Sequence, residues 1–234
     1  MFWIRTSHIS TIHGFSTRHG GVSPVPFGSL NLGGTEDLPE NIAENRKRAL
    51  ADLSIPFDRV SYLNQIHSNT VCRGVAGKQT GDALVTNETG LALAVGAADC
   101  YPVLFYDEKN KVIGAAHCGW KGTLGKIVKN TLEEMVLLGA EKQCIKMAIG
   151  QGICAANYEV SEELISQFKA AGFPSSCWDG RQLDLLKANR FVALESQIPE
   201  ENIWSMNRCT TEADFFSYRR DKGKTGRMWA VIML

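Results

Sequence analysis

A chain of 234 residues, 44% of them hydrophobic, can bury a sizeable core, and no repeat, Pro/Ser-rich linker or low-complexity tract divides it, so residues 1–234 read as one domain. Its 25 basic residues balance 25 acidic ones, which leaves no bulk charge field to draw in nucleic acid or an anionic membrane; a small neutral or mildly anionic ligand fits better. The opening MFWIRTSHIS lacks the apolar region of a secretory leader, no run of about 18 apolar residues occurs, and seven irregularly spaced cysteines point to reduced thiols in the cytoplasm.

After a first strand, residues 13–32 (HGFSTRHGGVSPVPFGSLNL) form a Gly/Ser/Pro-rich loop that contains Arg18, His19, Ser29 and Asn31. A loop of this length has to lie on the surface and is either mobile or shaped around a ligand. A helix is predicted over 39–53, with Pro39 suited to its first turn. Its apolar stripe is Ile42, Ala49, Leu50 and Leu53, so Asn45 and Arg46 fall on the inward face. The Arg46 guanidinium is therefore either a snorkelling edge residue or one aimed at an anion. Strands follow over 60–63 and 71–75, with Asn64, Gln65 and His67 between them, and then Gly81-Asp82 leads into 83–85. Asp82 reads as a turn residue that could also hydrogen bond a metal-bound imidazole.

The chain is organised around residues 91–122. Apolar runs at 91–95, 102–106 and 112–116 read as strands, with 107–111 as a hairpin loop. Cys100 then stands at the entry to one strand and His117 at the exit of its antiparallel neighbour. Together they could form a metal site or a nucleophile–base pair, and each histidine also has a plainer reading as a hydrogen-bonded core residue. His67 is the best third group, and a His, Cys, His set with one open position is what a catalytic zinc requires.

Beyond His117, Gly119-Trp120-Lys121-Gly122 opens a predicted helix whose positions Leu124, Ile127, Val128, Thr131, Leu132 and Met135 keep helical rhythm until Gly139. Its N-terminus would offer amides and a positive dipole end to an anion. A strand at 145–149, a glycine-rich exit ending at Cys154, helices near 162–171 and 183–197, and a last buried strand at 228–234 complete the pattern. Arg219, Arg220 and Arg227, set among aromatics, either bind phosphate or decorate a solvated hairpin.

The segments Gly14-Phe15-Ser16-Thr17-Arg18, Gly20-Gly21-Val22-Ser23, Ser29-Leu30-Asn31-Leu32-Gly33, Asn45-Arg46, Gln65-Ile66-His67, Asp99-Cys100 with Pro102-Val103, His117-Cys118-Gly119-Trp120-Lys121-Gly122 and Thr225-Gly226-Arg227 resemble, in this order, the YfiH-like family. That family has carried the labels laccase domain protein and polyphenol oxidase and is now viewed as zinc-dependent purine nucleoside phosphorylases. The resemblance implies an α/β (α+β) layered sandwich of central mixed sheets flanked by helices, and Zn2+ on His67, Cys100 and His117. It also implies phosphorolysis of adenosine, inosine and methylthioadenosine, with adenosine deamination as an added activity. Lys121 departs from the arginine usual in the family's Gly-Trp-Arg-Gly loop, replacing a bidentate fork with a point charge.

On this reading Cys100, His117, Asp99 and Arg46 carry the chemistry, while Arg18, Asn31, Asn45, Gln65 and Lys121 join Arg46 as contacts for substrate or phosphate. Asp99 and Glu159 are the carboxylates considered for proton transfer, because the H-x-E shuttle of known zinc deaminases is missing. Three rivals stand against it. One Cys with two His also suits Cu2+, but the histidines His8, His13, His19, His67 and His117 include no His-x-His pair for a multinuclear copper cluster. A cysteine hydrolase built on Cys100 and His117, editing cell-wall precursors, is the second. A binding domain with structural zinc is the third; it requires a fourth ligand, and strand alternation turns Cys118 away from the His117 side.

Overall fold

The computed structural model describes residues 2–234. Its strands in chain order are β1 (Trp3–Ile4), β2 (Ile12–Ser16), β3 (Val60–Asn64), β4 (Val71–Arg73), β5 (Gly77–Thr80), β6 (Ala83–Thr86), β7 (Ala92–Ala97), β8 (Tyr101–Asp107), β9 (Val112–Cys118), β10 (Ile145–Ile149), β11 (Trp178–Asp179), β12 (Gln182–Leu183), β13 (Ile203–Ser205) and β14 (Met228–Met233). The α-helices are α1 (Pro39–Asp52), α2 (Trp120–Leu124), α3 (Ile127–Leu137), α4 (Glu162–Ala170) and α5 (Leu185–Glu195). Two six-stranded mixed sheets result, ordered β1-β2-β14-β7-β3-β5 and β13-β10-β8-β9-β6-β4. In the first, β7, β3 and β5 run parallel; in the second, the β10-β8-β9-β6 core is antiparallel and flanked by parallel pairs.

Side-chain alternation separates the layers. Leu104 and Tyr106 of β8 join Phe15, Leu93, Val95 and Ile232 between the sheets, whereas Val103 and Phe105 turn outward under α3 and α5. On the far face of the first sheet, Leu50 and Leu53 of the α1 region cover Val60 and Val231. Helices on both outer faces and two mixed sheets between them are the layered sandwich expected. In β9 the same alternation sends Ala116 and Cys118 to the helix side and Ile113 and Ala115 to the sheet–sheet side. His117 shares the parity of Ile113 and Ala115, so it emerges at the open end of the layer between the sheets.

Several boundaries differ from the sequence reading. Residues 12–16 form β2, although Gly14 and Ser16 are poor strand formers, because Gly14 lies against Trp3, where a Cβ would come within 2.9 Å of its ring. The single helix expected after Gly119 is two, broken at Lys126, which adopts a left-handed φ of +57°. At the break Asn69 donates to the Gly125 carbonyl at 2.9 Å and packs against its Cα side. The polar edge strand β5 (GKQT) carries no hydrophobic signal and was not expected.

Asn45 explains the shape of the loop that follows β2. Wholly buried, its carboxamide accepts from the Val22 amide at 2.8 Å and donates to Ser23 Oγ, the Ser29 carbonyl and the Asn31 carbonyl at 2.8–3.1 Å. The end of the loop is thus part of the core, with Leu30, Asn31 and Leu32 fully buried beneath α1, while its tip at Val25 is exposed. Replacing Asn45 by Ala would strand several buried backbone groups, so Asn45→Ala is expected to lower stability by about 2–4 kcal/mol in urea unfolding. A loss under about 1 kcal/mol would show that the loop holds its shape without it.

Candidate metal centre and cavity

The register of the β8–β9 hairpin pairs Pro102 with His117 and Tyr101 with Cys118, leaving Cys100 one residue past the ladder beside the imidazole. His67 arrives from the loop after β3 with a left-handed backbone, φ +57°. One nitrogen or sulfur from each of His67, Cys100 and His117 lies within 4.8 Å of the other two, close enough to share a metal ion. The two imidazoles meet edge to face with centroids 5.0 Å apart. Gly119 makes this approach possible, since a Cβ there would stand 2.8 Å from Cys100 Sγ and 3.4 Å from His67 Cδ2.

What holds the trio is Asp82, whose side chain is fully buried. Its Oδ1 accepts from the His67 amide at 3.1 Å and from His117 Nδ1 at 3.0 Å. Its Oδ2 accepts from the Ile66 and Ser68 amides at 3.3 and 2.6 Å and from Ser68 Oγ at 2.8 Å. The carboxylate thereby braces the left-handed turn at His67 and holds the His117 ring by Nδ1, which leaves Nε2 as the nitrogen on the Cys100 side. Burial alone would raise the Asp82 pKa, but the His117 and Ser68 hydrogen bonds outweigh it and hold it down at about 2. Burial likewise opposes ionisation of the Cys100 thiol, and the neighbouring imidazoles, His117 above all, reverse that and lower its pKa. Burial disfavours the charged form of His117, yet Cys100 and Asp82 together raise its pKa. A thiol inclined to ionise and a carboxylate-braced imidazole suit a cation.

The centre lies in the wall of a cavity of about 650 Å³. Tyr62, Trp120, Tyr158, Tyr218 and Trp229 supply aromatic faces, and Arg46, Arg219 and Arg227 supply guanidiniums. Arg46 donates from Nε to the Leu32 carbonyl at 2.8 Å and stands 4.7 Å over Trp229 and 5.0 Å over Tyr62. Arg219 donates to the Glu159 carbonyl and stacks on Tyr158; Arg227 donates to the Thr225 and Gly226 carbonyls. Among the described residues none of these three forms an ion pair, whereas Arg208 and Arg220 do, with Glu212, Asp214 and Asp221.

The structure sorts the residues proposed from sequence. Asp99, Cys100, His67, His117, Gln65 and Arg46 line the cavity; Arg18, Asn31, Asn45 and Lys121 do not. Arg18 is spent on the Gly28 carbonyl and the Phe216 face, and Asn31 holds Asp37 and Thr35. Gln65 pairs both ends of its amide with Gly96, at 2.7 Å each. Asp99, at φ +86°, accepts from Thr210 Oγ1 and the Arg219 amide, both at 2.6 Å. Glu159 faces outward to Arg181 at 2.6 Å. The short α2, only Trp120–Leu124, does not offer the long dipole expected of a continuous helix. Tyr62, Lys78 and Trp229 escaped the sequence reading because strand residues carry no sign of which face meets a cavity.

A family model described as multi-copper polyphenol oxidoreductase laccase matches residues 12–234. A purine nucleoside phosphorylase of Deinococcus radiodurans is 49% identical over 99% of this chain and 92% of its own. Another, from Corynebacterium glutamicum, is 40% identical over 94% of this chain and 93% of its own. Among solved structures, YlmD from Geobacillus stearothermophilus superposes with a TM-score of 0.93 at 32% identity, covering 100% of this chain and 96% of that one. Bacillus licheniformis YfiH gives 0.90 at 31% identity over 95% and 92%.

Asp82→Asn keeps the shape but weakens the acceptor facing His117, so metal affinity measured by competition with a chelator is expected to fall about 10–100-fold. Unchanged affinity would remove Asp82 from this role. Because the folded pKa lies below the ordinary 3.8, the stabilisation Asp82 supplies to the metal-free protein is complete above about pH 4 and is lost as pH falls toward 2. The wild type should therefore lose stability over that window more steeply than Asp82→Asn.

Proposed function

We propose, for a chain that belongs to the family described as multi-copper polyphenol oxidoreductase laccase, that the His67–Cys100–His117 centre holds Zn2+ and serves phosphorolysis of purine nucleosides. The observation that carries this reading is the meeting of a three-donor metal site, an aromatic wall and three unpaired guanidiniums in one cavity. The names of the Deinococcus and Corynebacterium relatives support it. Adenosine, inosine and methylthioadenosine are the proposed substrates, with adenosine deamination as a second activity.

His67, Cys100 and His117 would hold the ion, which when bound supplies a Lewis acid at an open coordination position. The purine stacks on the aromatic faces, Trp229 and Tyr62 being the pair already braced by Arg46. Arg46, flanked by Gly33 and Gly34, takes phosphate with charge-assisted hydrogen bonds, and Arg227 and Arg219 complete the cationic wall. A Cβ on Gly33 would collide with the Arg46 guanidinium, so glycine there keeps the approach open. As the glycosidic bond lengthens, positive charge grows on the ribose and electron density moves into the base, which needs a proton or a hydrogen-bond donor. Of the two carboxylates weighed for proton transfer, only Asp99 lines the cavity, and it takes that role here. Free cysteines throughout, and the lack of any helix long and apolar enough to cross a membrane among the described residues, accord with a cytoplasmic enzyme.

Copper oxidation is the second reading, favoured by the family's description. Its multinuclear form needs further histidines, and the remaining ones are engaged elsewhere: His13 with Thr6 and Thr11, His8 with the Asn202 carbonyl and His19 with Asp214.

Metal analysis of the purified protein, together with product identification from adenosine with and without phosphate, tests the assignment. One zinc per chain and ribose 1-phosphate formed only with phosphate are expected; copper with phenol oxidation would overturn it. Arg46→Ala should raise the phosphate KM about 10–100-fold while leaving zinc content intact. An unchanged phosphate dependence would remove Arg46 from phosphate binding. Cys100→Ser should lose zinc and nucleoside cleavage together, whereas a cysteine hydrolase would keep the metal.

A further inference from the structure

Two thiols away from the metal centre are set side by side by the fold. Cys154 ends the glycine-rich exit from β10, Cys209 lies in the loop after β13, and an isolated bridge pairs Gly152 with Cys209. Cys209 Sγ receives the Cys154 amide at 3.1 Å, Thr211 Oγ1 at 3.2 Å and Asn157 Nδ2 at 3.6 Å. The same Asn157 group reaches Cys154 Sγ at 3.2 Å, so one carboxamide spans both sulfurs. Both cysteines are partly exposed.

Three donors converging on one sulfur favour its thiolate. Burial pushes the Cys209 thiol up, but hydrogen bonds from Cys154 and Thr211 carry it below its ordinary value, while burial and Cys209 push Cys154 above its own. The pair is therefore asymmetric: the donors converge on Cys209, and Cys154 is the sulfur less inclined to ionise. The other cysteines lack such a setting. Cys118 and Cys177 are buried, Cys144 faces the Glu141 carboxylate, Cys72 donates to the Thr80 carbonyl, and Cys100 belongs to the metal centre.

We propose that Cys154 and Cys209 form a peroxide-sensitive dithiol in which Cys209 attacks and Cys154 resolves. The Cys209 thiolate takes one oxygen of hydrogen peroxide, the O–O bond breaks, and hydroxide leaves and picks up a proton to become water. Cys154 Sγ then attacks the sulfenic sulfur, and its own proton departs with the displaced hydroxide as a second water. One disulfide and two waters result, the two thiols being oxidised by two electrons and the peroxide reduced. The bridge would cross-link the two loops that hold Asp99: Thr210 donates to its carboxylate and to Gly152 through its amide, and the Ile153 amide donates to its carbonyl.

The test is a peroxide titration of the metal-loaded wild-type protein, quenched with iodoacetamide and read by intact mass and non-reducing peptide mapping. The expected result at low peroxide excess is an alkylated mass about 116 Da below that of the reduced protein, two carbamidomethyl groups and two hydrogens fewer, with a cross-linked peptide pair containing Cys154 and Cys209 and reversal by dithiothreitol. Cys154→Ser should halt at a sulfenic acid on Cys209 that dimedone traps, and Cys209→Ser should leave Cys154 alkylatable at the same dose. The proposal is overturned if Cys154 and Cys209 stay alkylatable in the wild type while Cys72, Cys100 or Cys144 oxidises first, or if Cys154 in Cys209→Ser oxidises as readily as the wild-type pair. Because the wild-type map decides by itself and does not read nucleoside cleavage, the outcome is independent of the proposed phosphorolysis.

Discussion

A carboxylate with no exposure to water ties the imidazole of His117 to the backbone of His67 in the candidate metal centre, and the arrangement of the site follows from it. Taking an ionised carboxylate out of water costs several kcal/mol unless its lone pairs are met. Asp82 meets that cost with three successive amides, a hydroxyl and an imidazole N–H. The amides belong to residues 66–68 after β3 and the imidazole to the end of β9, so one side chain joins the ends of strands from different sheets. The left-handed backbone at His67 and the ring orientation of His117 are both consequences.

The arginines divide by partner. Arg208 and Arg220 bind carboxylates and pin the chain between residues 208 and 221, where Arg220 also gathers the Thr211, Glu212 and Phe215 carbonyls. Arg46, Arg219 and Arg227 bind carbonyls and lie over aromatic rings, an arrangement that orients a guanidinium without neutralising it. These three guanidiniums, without an ion-pair partner among the described residues, share the cavity wall with the Asp99 carboxylate, an excess of positive charge that favours an anionic ligand.

Layering explains why, among the described residues, the candidate centre gathers three donors, from the ends of strands in both sheets, and no fourth. The alternation that turns His117 toward the open end of the inter-sheet layer buries Cys118 beneath the helices, where burial raises its thiol well above the ordinary range. A four-thiolate or closed structural site would need that residue on the other face.

The amino-acid pattern alone made the β8–β9 hairpin, the α1 helix and the His67, Cys100, His117 set legible, because apolar periodicity and the chemistry of soft and imidazole donors are local properties. The inward place of Asn45 also followed from helical spacing. Its task of shaping the 17–33 loop did not, since its partners lie 14 to 23 residues away. Only the tertiary structure could show Asp82 as the shared acceptor, separate Arg227 and Arg219 from the structural Arg220, withdraw Arg18 and Lys121 from the cavity, and break the helix at Lys126 against Asn69. Each depends on which distant backbone carbonyl, ring or carboxamide a polar side chain meets, and that is decided by how the two sheets close on each other rather than by any spacing along the chain.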